Sequence, residues 1–207
     1  MDHWRRGHKQ MCKKIHRGGN AEQYHADKKY KEAVAVAVEA CADDTKGQTC
    51  YICIVQGNLA NTHFALRRID TAIQIERDIY SGYLKLLGEE NRTTLTVAGN
   101  HANSLTSVRR FEEAKLLLRK AIPTVRRILG ENDIDTLKMR VIYAQSLYMD
   151  DGAALNDLRE AVSTFEELER TTRRVLGGSH PTTAQMGQSL RNARTLLRER
   201  LREASRA

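Results

Sequence analysis

Leu87-Gly88-Glu89-Glu90-Asn91-Arg92-Thr93-Thr94-Leu95 returns as Leu129-Gly130-Glu131-Asn132-Asp133-Ile134-Asp135-Thr136-Leu137, and again as Leu176-Gly177-Gly178-Ser179-His180-Pro181-Thr182-Thr183-Ala184. The first two glycines stand 42 positions apart and the last two 47. A fixed period in this range predicts stacked repeats, in which each unit buries its apolar face only against its neighbours. Such arrays chiefly bind other proteins, so the period weighs toward a binding scaffold and against an enzyme.

Each copy has the same internal order. A first helix carries Gly57-Asn58-Leu59-Ala60-Asn61 in one copy and Gly99-Asn100-His101-Ala102-Asn103 in the next. A short basic turn follows, Arg67-Arg68-Ile69-Asp70-Thr71-Ala72 or Arg109-Arg110-Phe111-Glu112-Glu113-Ala114, and then a longer helix that runs to the glycine. Glycine suits that end because a left-handed residue there carries no Cβ penalty. Thr93, Asp135 and Thr182 are the expected N-caps of the following helices. Phe111, Ala114, Leu118, Ala121, Val125 and Leu129 step by three or four and predict one apolar helix stripe. Ala60 and Ala102 are small enough for paired helices to approach closely.

The third copy departs from the pattern. Its first helix reads Ile142-Tyr143-Ala144-Gln145, without the asparagine, and Asp150-Asp151-Gly152-Ala153-Ala154 lengthens its turn enough to explain the longer spacing. Insertions in turns are tolerated where units touch only neighbours. Pro123 inside the second helix of the middle copy matches Ser81-Gly82 one copy earlier, and a kink or a break into two helices is expected there. Residues 184–204 predict a last, capping helix with Met186, Leu190, Leu197 and Leu201 inward and Arg191, Arg194, Arg198, Arg200 and Arg202 outward.

The order of asparagine-bearing helix, basic turn, Glu-Ala, long helix, Leu-Gly-Glu and His-Pro-Thr-Thr resembles the 42-residue tetratricopeptide repeats of kinesin light chains. The resemblance covers residues 55–204, divided at about 57–98, 99–140, 141–183 and the capping helix 184–204. It implies an all-α fold: antiparallel helix pairs stacked into a right-handed superhelix. It also implies a concave groove in which first-helix asparagines touch an extended peptide. The matching residues are Asn58 and Asn100, with Asn61 and Asn103 one turn on. Ile142 in the third copy implies a shorter groove. The competing expectation is that these asparagines only face solvent or neighbouring helices.

The amino terminus carries a second resemblance. Asp2-His3-Trp4-Arg5-Arg6-Gly7-His8-Lys9-Gln10-Met11-Cys12 is similar to the closing stretch of a MYND zinc finger, in which His8 and Cys12 match the last two zinc ligands. Their spacing puts imidazole and thiolate one helical turn apart, which a tetrahedral ion can bridge. The six upstream cysteines of a whole finger are absent. Two expectations follow for residues 1–16: Met1 is an internal methionine of a longer protein, or the stretch is a remnant without zinc. His16, a further turn along, is a remote third ligand. Cys50-Tyr51-Ile52-Cys53 is a C-x-x-C pair that can open a zinc module or act in redox chemistry, but no second pair completes a four-ligand set, and unliganded thiols are the simpler expectation. Zinc is expected only if the finger is complete; otherwise no cofactor is. Residues 20–45 predict an amphipathic linker helix, with joints at Gly18-Gly19 and Lys46-Gly47-Gln48.

Composition bounds the rest. The 207 residues are 41% hydrophobic and 5% aromatic, with two prolines and no alternating strand pattern. No apolar run reaches the ~20 residues of a membrane span, and no secretory signal opens the chain. Four cysteines without evident pairing suit the cytoplasm or nucleus. A net charge of +8 admits nucleic acid as a partner, yet the basic clusters lack interleaved aromatics, which leaves nonspecific phosphate contact. The same charge suits an acidic peptide through steering. No Gly-rich phosphate loop, G-x-S-x-G or H-E-x-x-H is present, so no enzyme is expected. The expected function is noncatalytic binding of a protein or extended peptide. The alternative is a zinc-finger factor associated with nucleic acid or chromatin, its finger completed upstream of Met1.

Overall fold

The computed structural model describes residues 69–206. The chain divides into two compact units, Met1–Gly88 and Glu89–Ala207. From the first, one helix is described: α1, Ile69–Leu87, which buries Ala72, Ile73, Ile75, Ile79 and Tyr83 on one stripe. Ser81 and Gly82 lie inside it without interrupting it. The second unit holds α2 (Arg92–Ser107), α3 (Phe111–Leu129), α4 (Ile134–Tyr148), α5 (Leu155–Leu176) and α6 (Pro181–Ala204). Among the described residues there is no strand.

The repeat is visible in the helix boundaries. α1 and α3 each span 19 residues and begin 42 positions apart. In the second unit α2 packs on α3, α3 on α4, α4 on α5 and α5 on α6, while α2 also lies beside α4. Gly99 serves that last contact, since a Cβ there would stand 3.1 Å from Cγ of Met139 on α4. Ala102, fully buried on α2, meets the expectation of close approach at that position.

The turns explain the punctuation. Gly88, Gly130 and Gly177 all have positive φ, and at Gly130 (φ 88, ψ 166) and Gly177 (φ 87, ψ 160) the backbone lies outside the left-handed helical region, in territory essentially reserved for glycine. The caps differ from expectation by two residues. Asn91, Asp133 and His180 cap α2, α4 and α6, and their side chains accept the N–H of Thr93, Asp135 and Thr182, the residues expected to be the caps themselves. The next threonine in each copy, Thr94, Thr136 or Thr183, is buried. Thr136 Oγ1 donates to the Val125 carbonyl at 3.5 Å and Thr183 Oγ1 to the Gly177 carbonyl at 2.9 Å, which satisfies acceptors at the end of the preceding helix.

α2 ends in a Schellman turn. Arg110 N–H reaches the Leu105 carbonyl at 2.9 Å and Arg109 N–H the Thr106 carbonyl at 3.1 Å. The left-handed position, usually a glycine, is held by Arg109 at φ 63.

Three expectations need correction. Pro123 does not break α3, which is one helix from Phe111 to Leu129; the proline is exposed, so the Arg119 carbonyl it leaves without a donor lies on the water side. The lengthened turn explains only part of the 47-residue spacing, because α5 is also longer than α3, 22 residues against 19. On α6, Met186 and Leu190 are buried, but Leu197 is half-buried and Leu201 exposed. α6 has 24 residues where α2 has 16 and α4 has 15, so its last two turns outrun the core. Arg200, expected outward, instead donates to the Asp151 carbonyl in the lengthened turn.

The core of α4, α5 and α6 is made by Leu137, Ala144, Phe165, Leu168, Met186, Leu190 and Ala193, with Tyr148 edge-on to Phe165 at 5.7 Å. Each fully buried Leu or Phe adds about 1.5–3 kcal/mol over its exposed state. Polar groups register the copies. Arg109 pairs with Asp151 at 2.5 Å, Lys115 with Asp157 at 3.2 Å, and Arg174 with Asn132 at 3.3 Å, each joining neighbouring copies. Counted from glycines 47 apart, the equivalent of Lys115 is Val162, so the partners stand at different positions of their copies. Lys115 is nearly buried and also touches Glu112 at 2.5 Å and Asp150 at 3.9 Å. Burial alone would lower its pKa, but hydrogen bonds and charge from Glu112 and Asp157 raise it. Arg140, likewise buried on α4, is held by Glu131 at 3.4 Å and by Glu167. Tyr143 links three helices: it accepts from Arg119 on α3 at 3.0 Å and donates to Glu160 on α5 at 2.8 Å. Its pKa is raised by burial, and the hydrogen bond to Tyr143 in turn raises that of Arg119.

Candidate functional site

α2, α4 and α6 are the first helices of their copies, and their caps Asn91, Asp133 and His180 set a common register. α2 buries most of its circumference and exposes one narrow stripe: Arg92, Asn100, Asn103 and Ser107, with half-buried Thr96. The equivalent stripe of α4 is Ile134, Lys138, Gln145 and Met149, and that of α6 is Pro181, Gln185, Gln188, Asn192 and Leu196. A helical period close to seven per two turns keeps these positions on one face.

The two expected asparagines of the described chain are therefore on this face. Asn100 and Asn103 are exposed, and neither side chain has a hydrogen-bond partner among the described residues. Asn58 and Asn61 lie outside the described residues, as do His8, Cys12, Cys50 and Cys53. Ile142, at the register of Asn100, is 9% exposed and turned into the core, so it is packing rather than a lost contact.

Reading by sequence missed that the amide persists one turn on. Gln145 and Asn192 stand twelve residues beyond their caps, as Asn103 does. Counting from the caps, instead of from the glycine-asparagine pair, would have found them. The side chain of Gln145 is half-exposed and has no partner among the described residues. Asn192 accepts from Gln188 Nε2 at 2.9 Å, and the Tyr148 hydroxyl bonds to Ser189 and Asn192. Burial raises the Tyr148 pKa against the opposing pull of those bonds, so at neutral pH it is a neutral hydroxyl.

Charge is nearly cancelled here. Arg92 is bound by Asp133 at 2.9 Å and Asp135 at 3.1 Å, and Thr96 Oγ1 lies 3.4 Å from the same Asp135. Desolvation lowers the Arg92 pKa, but these carboxylates outweigh it and raise it. Lys138 is the one charge of the three stripes without a partner among the described residues. The basic excess of α6 lies to one side, on Arg191, Arg194, Arg198 and Arg202, where Arg194 meets Glu166 of α5 at 2.7 Å; Arg191 borders the stripe and donates to Gln188 at 2.6 Å. Apolar side chains flank the amides: Ile134 is 55% exposed and Met149 42%.

Among the described residues no group of three or more His, Cys, Asp or Glu is placed to hold a metal. None of the described helices is long and apolar enough to cross a membrane. What the arrangement offers is hydrogen-bond donors and acceptors in fixed register between apolar flanks.

Comparison with known proteins agrees with the architecture. Residues 94–135 match the family model of the tetratricopeptide repeat. Among solved structures the chain is similar to nearly identical TPR-like repeats ascribed to a kinesin light chain of P. anserina, at 18% identity and a TM-score of 0.61, over 98% of this chain and 96% of that one. It is also similar to BtubC (BKLC) from P. vanneervenii, at 18% identity and a TM-score of 0.47, over 86% of this chain and 72% of that one. No curated protein matches its sequence. The helix pairs are thus those of an all-α helical-repeat solenoid, one stretch of which, residues 94–135, matches the tetratricopeptide repeat.

Proposed function

We propose that this chain is a noncatalytic scaffold that binds a protein partner through an extended peptide laid across α2, α4 and α6. One observation carries the reading: three successive first helices present side-chain amides at the same register, and those of Asn100, Asn103 and Gln145 have no partner among the described residues. A carboxamide offers a donor and an acceptor together, which is what a peptide group also offers. In a stacked array the surface shared by consecutive units is extended, so it suits an extended ligand.

Selection from a randomised peptide library tests it. Peptides of about twelve residues, ~40 Å when extended, are long enough to cross three helices. Enrichment on the full chain that disappears on the variant with Asn100→Ala and Asn103→Ala supports the reading. Enrichment untouched by those changes, with protection from hydrogen exchange on the outer face around Leu116, would move the site elsewhere. The zinc-factor alternative rests on residues outside those described, and no feature of the described ones favours it.

A further inference from the structure

The partner's charge class follows from how the array distributes its own charge. The chain carries a net +8, and an acidic partner is the natural inference from that sum alone. The candidate face does not carry the excess. Its one arginine, Arg92, is neutralised by two carboxylates across the α2–α4 junction. Apart from Lys138, its middle is made of amides and hydroxyls: Thr96, Asn100, Asn103, Ser107, Gln145 and Gln185. Arg198 and Arg202, without partners among the described residues, stand in line with Arg191 and Arg194 beside the face, and only Arg191 touches it, through Gln188.

We infer that the face reads the backbone of an uncharged extended peptide, with apolar side chains seated against Ile134 and Met149, and that acidic residues are not what it selects. This deepens the peptide-binding reading and rests on it. Neighbouring packed helices stand ~8–10 Å apart, and an extended chain rises ~3.3 Å per residue. Successive amides such as Asn103 and Gln145 therefore meet every third peptide group. An acidic side chain set against this surface gains one lysine and sheds its hydration beside neutral amides, whereas a backbone amide is met donor to acceptor. Arg92 cannot supply the missing charge without releasing Asp133, the cap of α4.

The same selection, read for composition and salt response, decides the matter. Peptides enriched on the full chain are expected to be near neutral, with apolar residues at spaced positions and no excess of Asp or Glu. Their affinity should change less than about twofold between low and high salt, since the contacts are not ionic. N-methylation of a single peptide nitrogen in the contact stretch should weaken binding about tenfold, as should Gln145→Ala, whose half-exposed side chain has no partner among the described residues, so the thermal midpoint should move little. Enrichment of acidic sequences with affinity that collapses in salt would overturn the inference and leave the scaffold reading standing. Absence of any enrichment lost on changing Asn100 and Asn103 would remove both.

Discussion

Replacing Lys115 by Met removes one charge and keeps the stem. Its side chain is 4% exposed and lies among Glu112, Asp150 and Asp157, so it ties α3 to α5 and to the lengthened turn. Methionine retains most of the apolar packing, which leaves the ionic part as the quantity removed. Deleting one partner of a fully buried pair costs ~3–5 kcal/mol because the other is stranded. Glu112, 72% exposed, is stranded at almost no cost and its contact is worth a few tenths of a kcal/mol. Asp157 and Asp150 are 22% and 27% exposed, so water reaches them after a small shift. Halving the buried-pair figure for that rehydration gives about 2 kcal/mol, or roughly 4–8 °C in a chain of this size. Urea unfolding of the wild type, Lys115→Met, Asp157→Asn and the double variant measures it, and the cycle should return a coupling of about 1 kcal/mol. The pH dependence supplies an independent check. The folded-state pKa of Lys115 is raised, so its contribution is whole below the ordinary lysine range near ~10.4 and is lost as pH climbs through the higher folded value. The stability gap between wild type and Lys115→Met should therefore close only in strong alkali. A difference below ~0.5 kcal/mol at neutral pH, or no coupling to Asp157, would show that the ion pairs between neighbouring copies do not hold them together.

Other substitutions probe separate features. Arg109→Gly relieves a side chain held at φ 63 and loses an exposed ion pair and the contact over the Phe111 ring, so a net gain of about 0.5 kcal/mol is expected by thermal melting; a loss would mean that those contacts outweigh the strain. Pro123→Ala restores a donor to the Arg119 carbonyl inside an unbroken helix and should stabilise by about 1–3 kcal/mol, a result refuted by an unchanged urea midpoint. Phe165→Ala empties the junction of α4, α5 and α6 and should cost about 3–5 kcal/mol in urea unfolding; a cost under ~1 kcal/mol would mean that the core collapses onto the void.

Much of the fold was legible because it depends on periodicities that the chain states outright. The glycines at 88, 130 and 177 mark helix ends, and five of the six apolar residues on the Phe111–Leu129 stripe are buried, Leu129 being half-buried. What periodicity does not encode is which of several polar residues wins a shared role. Asn91, Asp133 and His180 compete with Thr93, Asp135 and Thr182 for the cap, and the winners are those whose side chain reaches the N–H two residues on, which leaves Thr136 and Thr183 to close the preceding helix. The burial of Lys115 and Arg140 is not written in the local pattern, because their carboxylate partners arrive from another helix or a distant turn. The site was half legible: Asn100 and Asn103 face outward as an asparagine-bearing face requires, while Gln145 was hidden behind the substitution at Ile142.

The pairs between α3 and the following copy place a demand on the history of the array. Arg109 meets Asp151 and Lys115 meets Asp157, acids that lie in or just beyond the lengthened turn. Counted back from glycines 47 apart, Asp157 stands at the position of Arg110. A freshly duplicated middle copy would therefore set arginine against Lys115. Such a junction repels until one copy changes sign, so divergence between repeats is a condition for the array to close this seam.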